Sequence, residues 1–218
     1  MHRKHAGLGL ALALMSGAAQ LPAQDITIGL KGGIIIADLA IDDAGVSEQT
    51  GTRTAFAIGP FVEFGISDLF SVQPEVLYTQ KGTKDTEDGI DLTFKLNYIE
   101  VPVLLKARLS SAGSTVLPSV YAGPVFAFES KCEVEGSDGG ATVTVDCNDE
   151  ELLGLETKSV DFGVALGAGI SIPTGSVVIV GDVRYTLGLS DINDTAGFEE
   201  LDVKNRTWAV LFGVGLPL

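Results

Sequence analysis

Nine ionisable side chains stand at alternate positions of otherwise apolar or glycine-rich stretches: Lys31, Glu63, Glu75, Glu100, Lys106, Arg108, Asp161, Asp182 and Arg184. Paired carboxylates are the equipment of a glycosidase, in which one acid protonates the leaving group and the other attacks or activates water. The same set also makes an ion network, since buried charges require partners and five acids here face four bases. The whole chain carries 29 acidic against 14 basic residues, so near-balance at these positions favours the structural network over catalysis. Cys132 and Cys147 form a second candidate. In an exported chain a local pair is most simply a disulfide, with two free thiols as the alternative. A metal is disfavoured because no other soft ligand accompanies them. The third candidate is the acidic stretch 130–159, with Glu133, Glu135, Asp138, Asp146, Asp149, Glu150, Glu151 and Glu156. Oxygen ligands suit calcium, but no D-x-D-x-D-G spacing appears, and a solvated loop is the reading. No catalytic residue, metal or cofactor is expected.

Composition narrows the chemistry further. His2-Arg3-Lys4-His5 is a basic n-region, Gly7 to Met15 is an apolar h-region, and small residues follow, with cleavage after Ala19 or Ala23. This reads as a secretory signal peptide over 1–23, too short to span a bilayer as a helix. Residues 24–218 then form one domain of about 195 residues. Both histidines leave with the signal, which excludes Ser-His-Asp and Cys-His mechanisms and His-ligated zinc. Arg3 and Lys4 leave too, so 12 bases face 29 acids, a formal charge of −17. A chain this acidic is not built for nucleic acid, where Lys and Arg on phosphates supply affinity.

The elements that must position these residues are strands. In Phe162–Ile170 one parity is Phe, Val, Leu, Ala and Ile, and the other is only Gly and Ala; successive strand residues face opposite sides. About eight such segments recur: 26–39, 54–66, 70–81, 92–109, 116–129, 160–172, 177–189 and 206–218. Their connections alternate long and short, which is the layout of an eight-stranded antiparallel up-and-down transmembrane β-barrel, with long outer loops and short inner turns. Phe56, Tyr78, Phe128, Phe162, Tyr185 and Trp208 fall near the loop end of the apolar face, as an interfacial aromatic girdle would. The nine charges fall on the opposite face, in the lumen.

Two rivals fit parts of the pattern. Phe162–Gly181 has no charge and contains G-x-x-x-G at Gly163 and Gly167, a possible membrane helix, but Pro173-Thr174-Gly175-Ser176 interrupts it. A soluble lipocalin-like binding barrel also alternates; a non-greasy face rich in Gly and Ala suits a narrow packed lumen better than a wet exterior.

Particular motifs carry a resemblance. Lys31-Gly32-Gly33, Gln73-Pro74-Glu75-Val76-Leu77-Tyr78-Thr79-Gln80-Lys81-Gly82 and Leu96-Asn97-Tyr98-Ile99-Glu100-Val101-Pro102 resemble the PorT-like outer membrane β-barrel family. Ala122-Gly123-Pro124, Asp161-Phe162-Gly163 and Arg184-Tyr185-Thr186-Leu187-Gly188-Leu189 come after them in the same order. The resemblance implies an eight-stranded barrel in outer-membrane lipid, and an accessory role in a secretion or transport assembly as one function. The ending Gly215-Leu216-Pro217-Leu218 departs from the terminal aromatic that such barrels often carry. The residues themselves favour a monomeric, non-enzymatic barrel whose acidic loops serve surface binding or envelope structure through an unidentified protein or envelope partner. The Cys132–Cys147 disulfide is expected to close the third outer loop, outside the barrel's hydrogen-bond ladder.

Overall fold

The computed structural model describes residues 26–43, 46–87, 89–109, 115–147, 157–195 and 201–218. The expected signal peptide lies outside them, as do Asp149, Glu150, Glu151 and Glu156 of the acidic stretch. The described elements are β1 (Ile26–Asp43), β2 (Val46–Gln49), β3 (Arg53–Gly65), β4 (Phe70–Pro74), β5 (Leu77–Glu87), β6 (Ile90–Arg108), β7 (Leu117–Ser137), β8 (Thr142–Asp146), β9 (Val160–Thr174), β10 (Val177–Gly188) and β11 (Leu201–Pro217). All pairings are antiparallel, and β1 pairs with both β3 and β11, so the sheet closes on itself. β4 and β5 run end to end as one stave, giving a ring of eight: β1, β3, β4–β5, β6, β7, β9, β10 and β11.

Parity decides what each stave presents. Outward residues such as Ile34, Leu166 and Phe212 are 60%, 54% and 66% exposed, whereas Lys31, Glu75 and Arg184 on the inner face are 3%, 2% and 4% exposed. A soluble barrel would reverse this. The uncharged stretch considered as a membrane helix is the β9–β10 hairpin, turning at Gly175 with φ 65°.

Two departures from simple alternation matter for the site. The third expected strand is interrupted after Pro74, yet the ladder is carried across the break by Glu75 N–H to the Pro102 carbonyl and Val76 N–H to the Pro60 carbonyl. The second lies between β6 and β7: Asn97 pairs with Lys131 and Tyr98 with Glu129, so Ser130 is an extra residue on β7. Such a bulge inverts the facing of the residues beyond it. Phe126 and Phe128 point outward below it, while Cys132, of the same parity, is turned inward and only 2% exposed.

The strands also extend further than the sequence indicates. The expected loop 82–91 is the continuing β5–β6 hairpin, and the acidic stretch begins as the top of β7 and returns as β8. β1 reaches Asp43, and β11 begins at Leu201 rather than Arg206. Beyond the apolar belt the outer face meets water and part of the inner face is apolar, so the outward-apolar alternation that marks the strands within the belt no longer holds.

Candidate functional site: a filled lumen under an apolar cap

The inward charges form tiers. At mid-height, Glu75 accepts two bonds from Arg184, Nη1 to Oε2 at 2.8 Å and Nη2 to Oε1 at 2.9 Å, and one from Lys31 Nζ at 2.7 Å. Paired fork-to-fork bonding of this kind is among the strong, geometrically specific charge contacts. Asp182 accepts from Lys31 at 3.2 Å and from the Tyr121 hydroxyl at 2.5 Å, while Arg184 Nε donates to the Tyr121 oxygen at 3.3 Å. The guanidinium also lies over the Tyr121 ring, 5.4 Å from its centroid.

Toward the turn end, Glu63 accepts from Lys106 at 2.7 Å and Ser71 at 2.8 Å, and Arg108 lies 3.4 Å away. Gln73 joins the two tiers: its Nε2 donates to Glu75 at 2.6 Å, and its Oε1 accepts from Lys106 at 2.8 Å. Phe61 floors the mid-height tier, with Lys31 Nζ 5.3 Å from its ring centroid.

Toward the loop end, Lys81 lies 2.6 Å from Glu100 and 3.8 Å from Asp161. Asp161 also accepts from Ser190 at 2.6 Å and from Asn205 at 2.9 Å. All nine charges anticipated for the lumen thus take part in ion pairs. Lys81, missing from that set, is the tenth member and brings it to five acids and five bases. It shares parity with Glu75 and Thr79, and its position as the last residue of the expected strand hid it. Tyr121, Gln73 and Asn205 are neutral members that charge counting does not find.

A cap closes the loop end. Leu39, Leu96, Tyr98, Ala127, Cys132, Cys147 and Ile192 form one buried cluster. Cys132 and Cys147 are disulfide-bonded, with Cα atoms 5.5 Å apart. The disulfide does not lie outside the ladder as expected: Cys132 pairs with Leu96 in β6, because the bulge at Ser130 turns it into the mouth. Ile192 is held between β11 and the chain before β9, its N–H bonded to Val203 O and its carbonyl accepting from Lys158 N, both at 2.9 Å. Asp191 staples this segment. Burial would raise its pKa, but the Lys158 ammonium and the amides of Val203 and Asn193 hold it below the ordinary carboxylate value.

On the outer face, Phe56 and Tyr78 lie 6.0 Å apart between centroids, and Tyr185 and Trp208 lie 4.9 Å apart. Phe162 packs at 5.3 Å on Phe126 rather than on Phe128, and Phe128 is exposed beside Ile99 of β6.

The filling depends on missing side chains. A Cβ at Gly167 would come within 2.4 Å of the Tyr121 ring and hydroxyl, and one at Gly29 within 2.4 Å of the Phe61 ring. Gly167→Ala is therefore expected to push Tyr121 off Asp182 and to destabilise the barrel by about 1–3 kcal/mol. Urea unfolding in lipid vesicles measures this; an unchanged midpoint would mean that Tyr121 has another place to go.

A closed eight-stave ring with an apolar exterior and a charge-filled interior defines a transmembrane β-barrel of the outer-membrane kind. The chain belongs to the outer membrane protein beta-barrel domain family, whose description matches residues 18–194, and its place is the outer membrane. Among solved structures it is similar to the outer membrane protein OprG from Pseudomonas aeruginosa, at 13% identity over 88% of this chain and 95% of that one, with a TM-score of 0.51. It is also similar to Neisserial surface protein A, at 14% identity over 88% and 97%, with a TM-score of 0.48. At such identities the likeness to OprG concerns the fold alone. No curated protein matches the chain in sequence.

Proposed function

We propose that this barrel is a non-conducting, non-enzymatic outer-membrane protein that works from its loop end, in surface binding or envelope architecture. The observation that carries the reading is the balanced network. Five acids and five bases cross-link the staves inside a bore that eight strands leave only wide enough for side chains, and the buried cluster around the disulfide lies above them. The network has no net charge, so the chain's formal −15 resides elsewhere. Glu133, Glu135, Asp138 and Asp146 on β7, β8 and their turn put part of that charge at the loop end. The paired carboxylates are committed to lysine and arginine, which leaves them poorly placed to serve as acid and base for a glycoside. The six aromatics near the loop end of the outer face are read as the interfacial girdle, and the motif resemblance as PorT-like membership within the family.

Planar-bilayer recording of the purified protein tests this. A silent membrane is expected; steady, large open-channel conductance would overturn the filled-lumen reading and put transport first. Purification in mild detergent separates the surface role from an accessory one, because a stoichiometric protein partner would favour a secretion or transport assembly.

A further inference from the structure

The polarity of the interior changes along its length. In the apolar belt, where lipid surrounds the barrel, the inward positions hold the charged network. Beyond the belt, where water is nearest, apolar side chains take up inward positions on three staves: Leu39 and Ile41 on β1, Phe94 and Leu96 on β6, and Leu201 and Val203 on β11. Part of this apolar surface is consumed in the cap. Leu39 and Ile192 are buried in it, and Phe94 and Val203 pack against it from the open side. Leu39, Ile41, Phe94, Ile192, Leu201 and Val203 line a pocket of about 180 Å³, with Thr157, Asn193 and Thr195 completing it.

We infer that this outer mouth binds a small, neutral, apolar molecule on the scale of a single aromatic ring. The size is set by the volume: a cavity of roughly 150 Å³ lined by Leu, Ile and Phe takes up benzene. The apolar character is set by the lining, since such a guest removes water from side chains that otherwise face it. The preference for a neutral molecule comes from the rim. Asp191, Asp194 and Asp202 all act electrostatically on Lys158, and Lys158 and Lys204 are paired with Asp191 and Asp202. The acids outnumber the bases there, and a carboxylate guest would be repelled. Below the pocket, Ile192 and Leu39 are buried in the cap, so a guest is held at the mouth and not passed into the lumen. This goes beyond the proposed surface role by naming a ligand class and a place for it.

The test tracks the Ile192 methyl groups by NMR in the detergent-solubilised barrel, with benzyl alcohol and benzoate as probes. Saturable shifts at Ile192 with benzyl alcohol are expected, and none with benzoate at the same concentration. Ile34 and Ile179, on the outer wall, report partition of the probe into detergent. Ile41→Phe, which projects a ring into the pocket, is expected to weaken the Ile192 response at least tenfold; Leu201→Phe makes the same test should the first variant fold poorly. Non-saturating shifts, equal responses to both probes, or an undiminished response in the filled variants would overturn the inference. A barrel that is electrically silent yet binds no probe would overturn it while leaving the proposed function standing.

Discussion

Arg184→Leu is expected to cost the barrel about 3–5 kcal/mol, the usual penalty for removing one member of a buried ion pair. Arg184 supplies two of the hydrogen bonds that neutralise Glu75 and touches Tyr121 and Asp182 as well. Without it, Lys31 alone faces both carboxylates, and the mid-height tier holds two acids and one base where water cannot easily enter. The cost therefore lies in the orphaned charge more than in the lost bond. Arg184→Leu combined with Glu75→Leu is expected to recover much of the loss, because exchanging a whole buried pair for apolar residues is often neutral. Urea unfolding in lipid vesicles reads both variants through Trp208, the single tryptophan. A single variant within about 1 kcal/mol of the parent would show that the network can rearrange around the gap.

The second large effect concerns the cap. Replacing both cysteines by serine (Cys132→Ser with Cys147→Ser) opens a loop with a sequence separation of 15, worth about 3 kcal/mol in the chain-entropy model. It also places two hydroxyls in a site where the sulfurs are 2% and 0% exposed by residue, adding a desolvation cost. The damage is expected to stay at the loop end. Amide hydrogen exchange at Ile192, whose N–H bonds to Val203, should accelerate by a factor of ten or more, while amides of β1 near Lys31 keep their protection. Uniform acceleration along β1 would mean that the cap and the barrel open as one unit, and unchanged exchange at Ile192 would mean that the disulfide contributes nothing to the mouth.

Much of the barrel was legible because a bilayer imposes a strong contrast between the two faces of each strand. Ile34 against Lys31, or Val183 against Arg184, needs no more than parity to be placed. What parity could not reach were events that break it. The extra residue Ser130 leaves no compositional mark, yet it turns Cys132 from the outer wall into the cap. Lys81 fell at the point where an expected loop began, although the strand runs on to Glu87. The tops of β5 to β8 were hidden for a related reason: with water outside in place of lipid, the outer face no longer has to be apolar, and only the backbone ladder shows that the strand continues. The inward side chains at the mouth were equally unreadable, since their apolar character resembles that of ordinary outer-wall residues until closure of the sheet sets which way they face.

The seam between β1 and β11 runs from Thr27 opposite Pro217 to Asp43 opposite Leu201, and it joins the first stave of the chain to the last. No partly delivered chain can close it. Until β11 arrives, β1 and whichever stave is last in line both present unpaired N–H and C=O groups, the templates on which strands aggregate. The contacts that end this exposure are also the most distant in sequence, so they are the slowest to find by diffusion alone. Biogenesis of this chain is therefore all-or-nothing in time. Its edges need protection from the moment β1 emerges until the final stave is in hand, and a truncation that spares every ion pair of the lumen network but removes β11 leaves an open sheet and no barrel.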